Sequence, residues 1–202
     1  MFANEDVVND ALALIGDEGI GSFTDDERGF DAERIFRNEL NFALGVHLFS
    51  WSRRLFALSR IDGNAPTGHA YLYALPPERI GPPLSVTDDA TDPDRTFSAY
   101  ELLEDVVASD AVALWARCKI SPGVASWSST FRQTLVVALA GRYAFARSSD
   151  KDAQDRLLRQ AYGTPEEQWR GGLMRAAINE DGRATPPRRM TGSNPLLTAW
   201  RS

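Results

Sequence analysis

Residues 7–51 read VVNDALALIGDEGIGSFTDDERGFDAERIFRNELNFALGVHLFSW, and their periodicity sets the expected fold. Val7, Ala11, Leu14 and Ile15 recur at helical spacing, and Val8 and Leu12 widen that stripe. The pattern predicts a helix over 4–15, with Asn4 as its cap, Glu5 and Asp6 in its first turn and Gly16 as its stop. An acidic loop with two glycines follows. A second helix is expected over 26–50, where Thr24 and Glu27 match a capping box. On it Phe36, Leu40, Ala43, Leu44, His47 and Trp51 form one stripe, and Ile35, Phe42, Val46 and Phe49 form another beside it. An apolar arc this wide exceeds what one packing partner needs. Two readings follow. Either several neighbours in the same domain cover the helix, or Ile35, Phe42, Val46 and Phe49 meet a second subunit.

Working outward, Arg54–Ile61, His69–Leu75 and Asp110–Ile120 read as strands, and 97–107 as one or two short ones. The Pro/Asp/Thr-rich stretch between Gly81 and Arg95 reads as a surface loop. Further helices are expected over 128–148, 150–162 and 165–178, with Ser149 or Asp150 capping the second and Thr164-Pro165 opening the third. Leu135–Ala140 is apolar on all sides, so its helix should be deeply buried. The expected fold class is mainly α: a bundle of four to five helices with a small antiparallel β insertion at about 53–120. The body is one domain over 1–180, and 181–202 form an extended basic tail.

Net charge is -6, which argues against a general phosphate-binding surface. The charge is uneven: from Gly182 to Ser202 there is no acid, while Arg183, Arg188, Arg189 and Arg201 are present. Pro186, Pro187 and Pro195 oppose a continuous helix there. Leu196, Leu197 and Trp200 are apolar for a merely solvated tail, so a tail that orders on a partner is expected. No run of apolar residues is long enough for a membrane span, and residues 1–8 lack the pattern of a secretory signal. The single cysteine, Cys118, forms no intrachain disulfide.

Chemistry is sparse. His47 lies on an apolar stripe and His69 stands before a strand; neither has a second metal ligand at suitable spacing on its own element. The loop from Asp17 to Glu27 fails as a calcium loop, because its third and fifth positions are Gly19 and Gly21 and its twelfth is Arg28. It also fails as a phosphate loop, since it follows a helix and lacks Gly-Lys-Ser/Thr. Cys118 beside Lys119 reads as a structural thiol, and Glu101, Glu104 and Asp105 as a solvated acidic face. The expectation is a protein that is not an enzyme and uses no cofactor or metal.

Four segments, in order, carry a resemblance. They are VVNDALALIGDEGIGSF (7–23), LFSWSRRLFALSR (48–60), YLYALPPERI (71–80) and ALWARCKISPGVASWSSTFRQTLVVALAGRYAFA (113–146). Over roughly 5–178 the chain resembles the head-to-tail connector (head-completion adaptor) proteins of tailed bacteriophages, the group that includes tail tubular protein A. It departs from them at Pro77, at Glu78, where Asp is commoner, and at the Gly163-Thr164-Pro165 break. The resemblance implies a virion protein that forms a ring, usually dodecameric, beneath the portal protein. The ring extends the channel for genomic double-stranded DNA, without reading its sequence, and offers a docking face to the next tail or stopper component. Portal binding would then fall to Arg188, Arg189, Leu196, Leu197, Trp200 and Arg201. The alternative is a helical DNA-binding or regulatory protein of phage origin, for which Arg34, Arg37 and the basic tail speak.

Overall fold

A computed structural model describes residues 3–25, 27–63, 68–95 and 97–184. Among these residues the chain forms five helices and seven strands. The helices are α1 (Asn4–Leu14), α2 (Glu27–Val46), α3 (Ser129–Ser148), α4 (Lys151–Tyr162) and α5 (Gly172–Ala184). The strands are β1 (Arg53–Ala57), β2 (Ser59–Ile61), β3 (Tyr71–Ala74), β4 (Ser85–Thr87), β5 (Tyr100–Leu103), β6 (Val106–Ser109) and β7 (Trp115–Lys119). The expected mainly α class is therefore wrong: the chain is mixed α/β, with two antiparallel sheets between the second and third helices.

One sheet has the order β1-β7-β4 and the other β2-β3-β6-β5. The run 54–61 expected as one strand divides at Leu58, where the chain leaves one sheet for the other. The same crossing occurs between β6 and β7 at Leu114, and the Leu58 amide donates to the Leu114 carbonyl at 2.9 Å. Tyr73 and Val107 from one sheet then share a buried cluster with Val86, Ala116 and Cys118 from the other. Alternation explains the inner face of the first sheet: Ala116 pairs with Val86, Cys118 pairs with Arg54, and Ala116 and Cys118 are both buried. β4 lies inside the stretch expected to be a loop. Its three residues gain strand character only by pairing with β7.

The helical half is built around α3. Ser128 Oγ accepts from the Phe131 amide at its start, and its sequence is buried from Leu135 to Ala140. α4 begins with Asp150 Oδ1 accepting from the Ala153 amide. α1 is capped from within, by Asp6 accepting from the Ala3 amide, rather than by Asn4. Asn9 fastens the acidic loop: its side chain both donates to and accepts from the backbone of Ile20, at 3.0 and 2.7 Å. Asp17 accepts from Arg28 at 2.9 Å, and Arg147 stands 3.6 Å from its other oxygen. A Cβ on Gly29 would collide with the Ser22 carbonyl oxygen, so this loop can pack closely on α2 only over glycine.

Two helix boundaries also differ from expectation. α2 stops at Val46, and the expected helix over 165–178 is a 3-10 turn (Pro165–Glu167) followed by α5. Glu167 accepts from the Thr164 amide to close that turn, and Gln168 and Trp169 then take left-handed backbone at φ 55° and 60°. Gly172 resumes the chain against α4, where any Cβ would strike the Gln160 carbonyl oxygen. Among the described residues no helix is long and apolar enough to cross a membrane.

Candidate functional site

The outer side of α2 separates the expected interface residues into two groups. Phe49 is fully buried, stacked on Trp51 and edge-on to Phe131, so it belongs to the chain's own core rather than to a subunit interface. Val46 is half-buried against the same core, and its carbonyl accepts from Arg170 Nε at 3.0 Å. Ile35 and Phe42 instead line a surface groove of about 470 Å³ between α2 and α4, floored by α3. Phe145 of α3 lies on its floor, 48 % exposed, and Phe42 is 38 % exposed.

The groove has a built aromatic end. Phe42 meets Tyr162 edge-on at 5.2 Å and Trp169 edge-on at 6.3 Å. Trp169 is held there, 38 % exposed, by the two successive left-handed residues. Such backbone costs on the order of 1–3 kcal/mol per residue and persists only where surrounding contacts impose it. The turn fixes an exposed tryptophan beside an exposed phenylalanine instead of burying either.

Behind the groove lies a charged group inside the apolar stripe. Glu39 is only 3 % exposed and accepts from Arg142 Nε and from the Tyr162 hydroxyl, both at 2.7 Å. Burial first, and the Glu39 carboxylate second, raise the Tyr162 hydroxyl well above the ordinary tyrosine range, so it stays protonated as a donor. The three groups satisfy one another and tie α2, α3 and α4 together. Glu39 stands three residues after Phe36 and four before Ala43, a place on the inner stripe that was visible in sequence but not read as a buried acid.

A second cluster has the residue types of a hydrolase triad without its wiring. Asp181 of α5 accepts from the Ser50 amide at 3.0 Å and from Ser50 Oγ at 2.5 Å, and His47 Nε2 stands 3.6 Å from its other oxygen. The Ser50 hydroxyl thus donates its hydrogen bond to the carboxylate, so this geometry does not pair serine with imidazole for general-base work. Burial lowers the His47 pKa, and the neighbouring Asp181 only partly opposes this. The cluster is a clasp between α5 and the exit of α2, and it explains why α2 cannot continue to 50.

The remaining candidates are dispersed. His69 is 3.3 Å from the exposed Asp110, which also accepts from the Ala70 amide. Cys118 is buried in β7, and burial raises its thiol pKa. Glu101 is exposed on β5, Glu104 occupies the β5–β6 turn at φ 50°, and Asp105 pairs with Arg79. Arg34 and Arg37 pair with Asp31 and Glu33 on their own helix. No group of three or more His, Cys, Asp or Glu side chains is placed to hold a metal ion among the described residues. Arg188, Arg189, Leu196, Leu197, Trp200 and Arg201 lie outside the described residues.

In comparisons with known proteins, no family model and no curated protein matches this sequence.

Proposed function

We propose that this chain is a structural head-to-tail connector of a tailed phage-like particle, and that it works as a ring beneath the portal protein. The observation that carries the proposal is the α2–α4 groove. An exposed Phe42 and a strained, exposed Trp169 form a desolvation-ready aromatic patch of the kind that anchors protein interfaces. A ring needs a heterologous contact, in which each copy presents one patch to a different surface of the next. The order of the four sequence segments supports the same reading, as does a net charge of -6, which would let DNA slide through a channel rather than adhere. In this reading the ring sits in the virion at the portal vertex, holds no cofactor and presents its far face to a tail or stopper protein. The basic tail docks into the portal, with Arg188, Arg189 and Arg201 supplying charge-assisted contacts and Leu196, Leu197 and Trp200 apolar anchors.

Cryo-electron microscopy of particles carrying this gene product tests the proposal: a ring of this fold at the portal vertex is expected, and its absence from that vertex rejects the function. Phe42→Glu should leave the chain folded yet remove it from particles. Deleting 184–202 should leave the body folded and abolish binding to the portal; unchanged binding would reject the docking role of the tail. Tight, salt-dependent binding of the free protein to duplex DNA would instead favour a DNA-binding protein.

A further inference from the structure

A second recess lies apart from the α2–α4 groove, at the face of the β1-β7-β4 sheet. Its volume is about 420 Å³, and its lining carries three arginines, Arg53, Arg95 and Arg117, against one acid, Asp94. The register sets Arg53 opposite Lys119 and Arg117 opposite Leu55, which brings Arg53 and Arg117 to the same face of the sheet. Lys119 turns away to donate to the Leu44 carbonyl. Arg117 Nη1 lies 2.6 Å from Asp94, and the more exposed Arg95 is 3.8 Å from Asp88. Arg53 is half-buried and has no carboxylate partner among the described residues.

Apolar side chains, among them Leu48, Val86 and Tyr100, stand between these polar groups. Leu84 is exposed at the rim, and the Phe97 and Tyr100 rings stack at 6.2 Å. With no carboxylate of its own, the half-buried Arg53 leaves its planar guanidinium fork open to an incoming group, and a carboxylate is the partner that fork fits best. A recess of this size admits one or two side chains but not a nucleic-acid duplex. We infer that it receives an acidic–apolar segment of a partner protein, with a carboxylate on Arg53 and Arg117 and the adjoining apolar side chain between Leu84 and Phe97. The recess shares no lining residue with the α2–α4 groove.

The test uses the full chain labelled with nitrogen-15 arginine and titrated with the blocked peptide acetyl-Glu-Leu-Asp-Leu-amide. Parallel titrations use its Gln/Asn isostere and sodium phosphate. Saturable shifts of the Arg53 and Arg117 side-chain resonances are expected, with a Kd on the order of 1 mM. The isostere should bind roughly tenfold more weakly, because it loses the charge-assisted bonds. Arg53→Gln should abolish the response with an unchanged far-ultraviolet circular dichroism spectrum. Should Arg53→Gln fail to fold, Arg117→Gln decides: a several-fold loss of affinity is expected, and unchanged affinity would overturn the inference. Absence of saturable shifts, equal binding of the isostere, or equal binding of phosphate alone would each overturn the inference. So would duplex DNA producing the same shifts.

Discussion

Among the described residues, 25 buried apolar residues form one cluster around α3 in the helical half, whereas the cluster shared between the two short sheets of the β half has 7. The helical half closes on aromatic contacts that run from Phe23 through Phe36 and Trp127 to Phe131. The β half relies more on backbone pairing and on polar ties such as Tyr73 donating to the Ala111 carbonyl and Ser109 to the Ala99 carbonyl. The difference separates two roles. A thick core fixes the helix positions, so the α2–α4 groove is presented by a rigid frame. A thin two-sheet unit places its arginine recess on strands, with its rim on the connecting loop.

The comparison is most easily broken by truncating one leucine in each half. Leu139→Ala, in the middle of α3, should cost about 4 kcal/mol, because the surrounding helices cannot collapse into the space. Leu114→Ala, at the crossing between sheets, should cost about 2–3 kcal/mol, because the shallower cluster can relax. Chemical denaturation measures both, and equal losses would show that the two halves are equally well packed. Next in size is Glu39→Ala, which strands Arg142 and the Tyr162 hydroxyl; about 3 kcal/mol is expected, at the low end for a broken buried pair because Arg142 reaches solvent. Glu39→Gln keeps an acceptor for Tyr162 and should lose roughly half as much.

Asp181→Ala removes the acceptor shared by the Ser50 amide and hydroxyl and should cost about 2 kcal/mol. Hydrogen exchange should show the loss concentrated in α5 and at the exit of α2, with the β half unmoved; uniform loss would mean that the clasp couples the two halves. The smallest effect is set by His47. Its folded pKa is lowered from 6.5, so the unfolded chain takes up the proton first. Stability from this group is complete above about pH 6.5 and is lost as pH falls through the folded pKa. Denaturation midpoints measured from pH 7.5 down to 5 should show this decline, and His47→Gln should flatten it.

Where the sequence was readable, the signal and its partner lay within a few residues. Ser128 caps Phe131 and Asp150 caps Ala153, and the all-apolar run 135–140 forms the buried helix. Thr164 and Glu167 formed their local hydrogen bond too, yet that closed only a single 3-10 turn. The misreadings lie where the partner is distant. Leu58 and Leu114 look like ordinary strand residues, and the strand divides at Leu58, whose amide donates to the Leu114 carbonyl, because the residues before it pair with β7 and those after it with β3. β4 was hidden by its length: Val86 and Thr87 favour strands, but three residues set in a Pro/Asp/Thr-rich stretch give no alternation to read, and they pair because β7 offers its edge. Of the groove, Ile35 and Phe42 were legible as an outer stripe, but Phe49 was not separable from them. Its burial depends on Phe131 and Trp51 closing over it.

By itself the sequence determined that the body carries five helical segments, though not the end of the second or the bounds of the fifth, together with the buried character of α3 and the uneven charge that sets basic C-terminal residues on an acidic chain. Those properties come from periodicity, capping and composition, which act over one or two turns. Only the tertiary structure decided that the fold is mixed α/β, that Glu39 and Asp181 are buried or clasped acids, and that Phe42 and Trp169 share one exposed patch. Each of these depends on a contact between distant parts of the chain, and such a contact exists only after the intervening segments have packed.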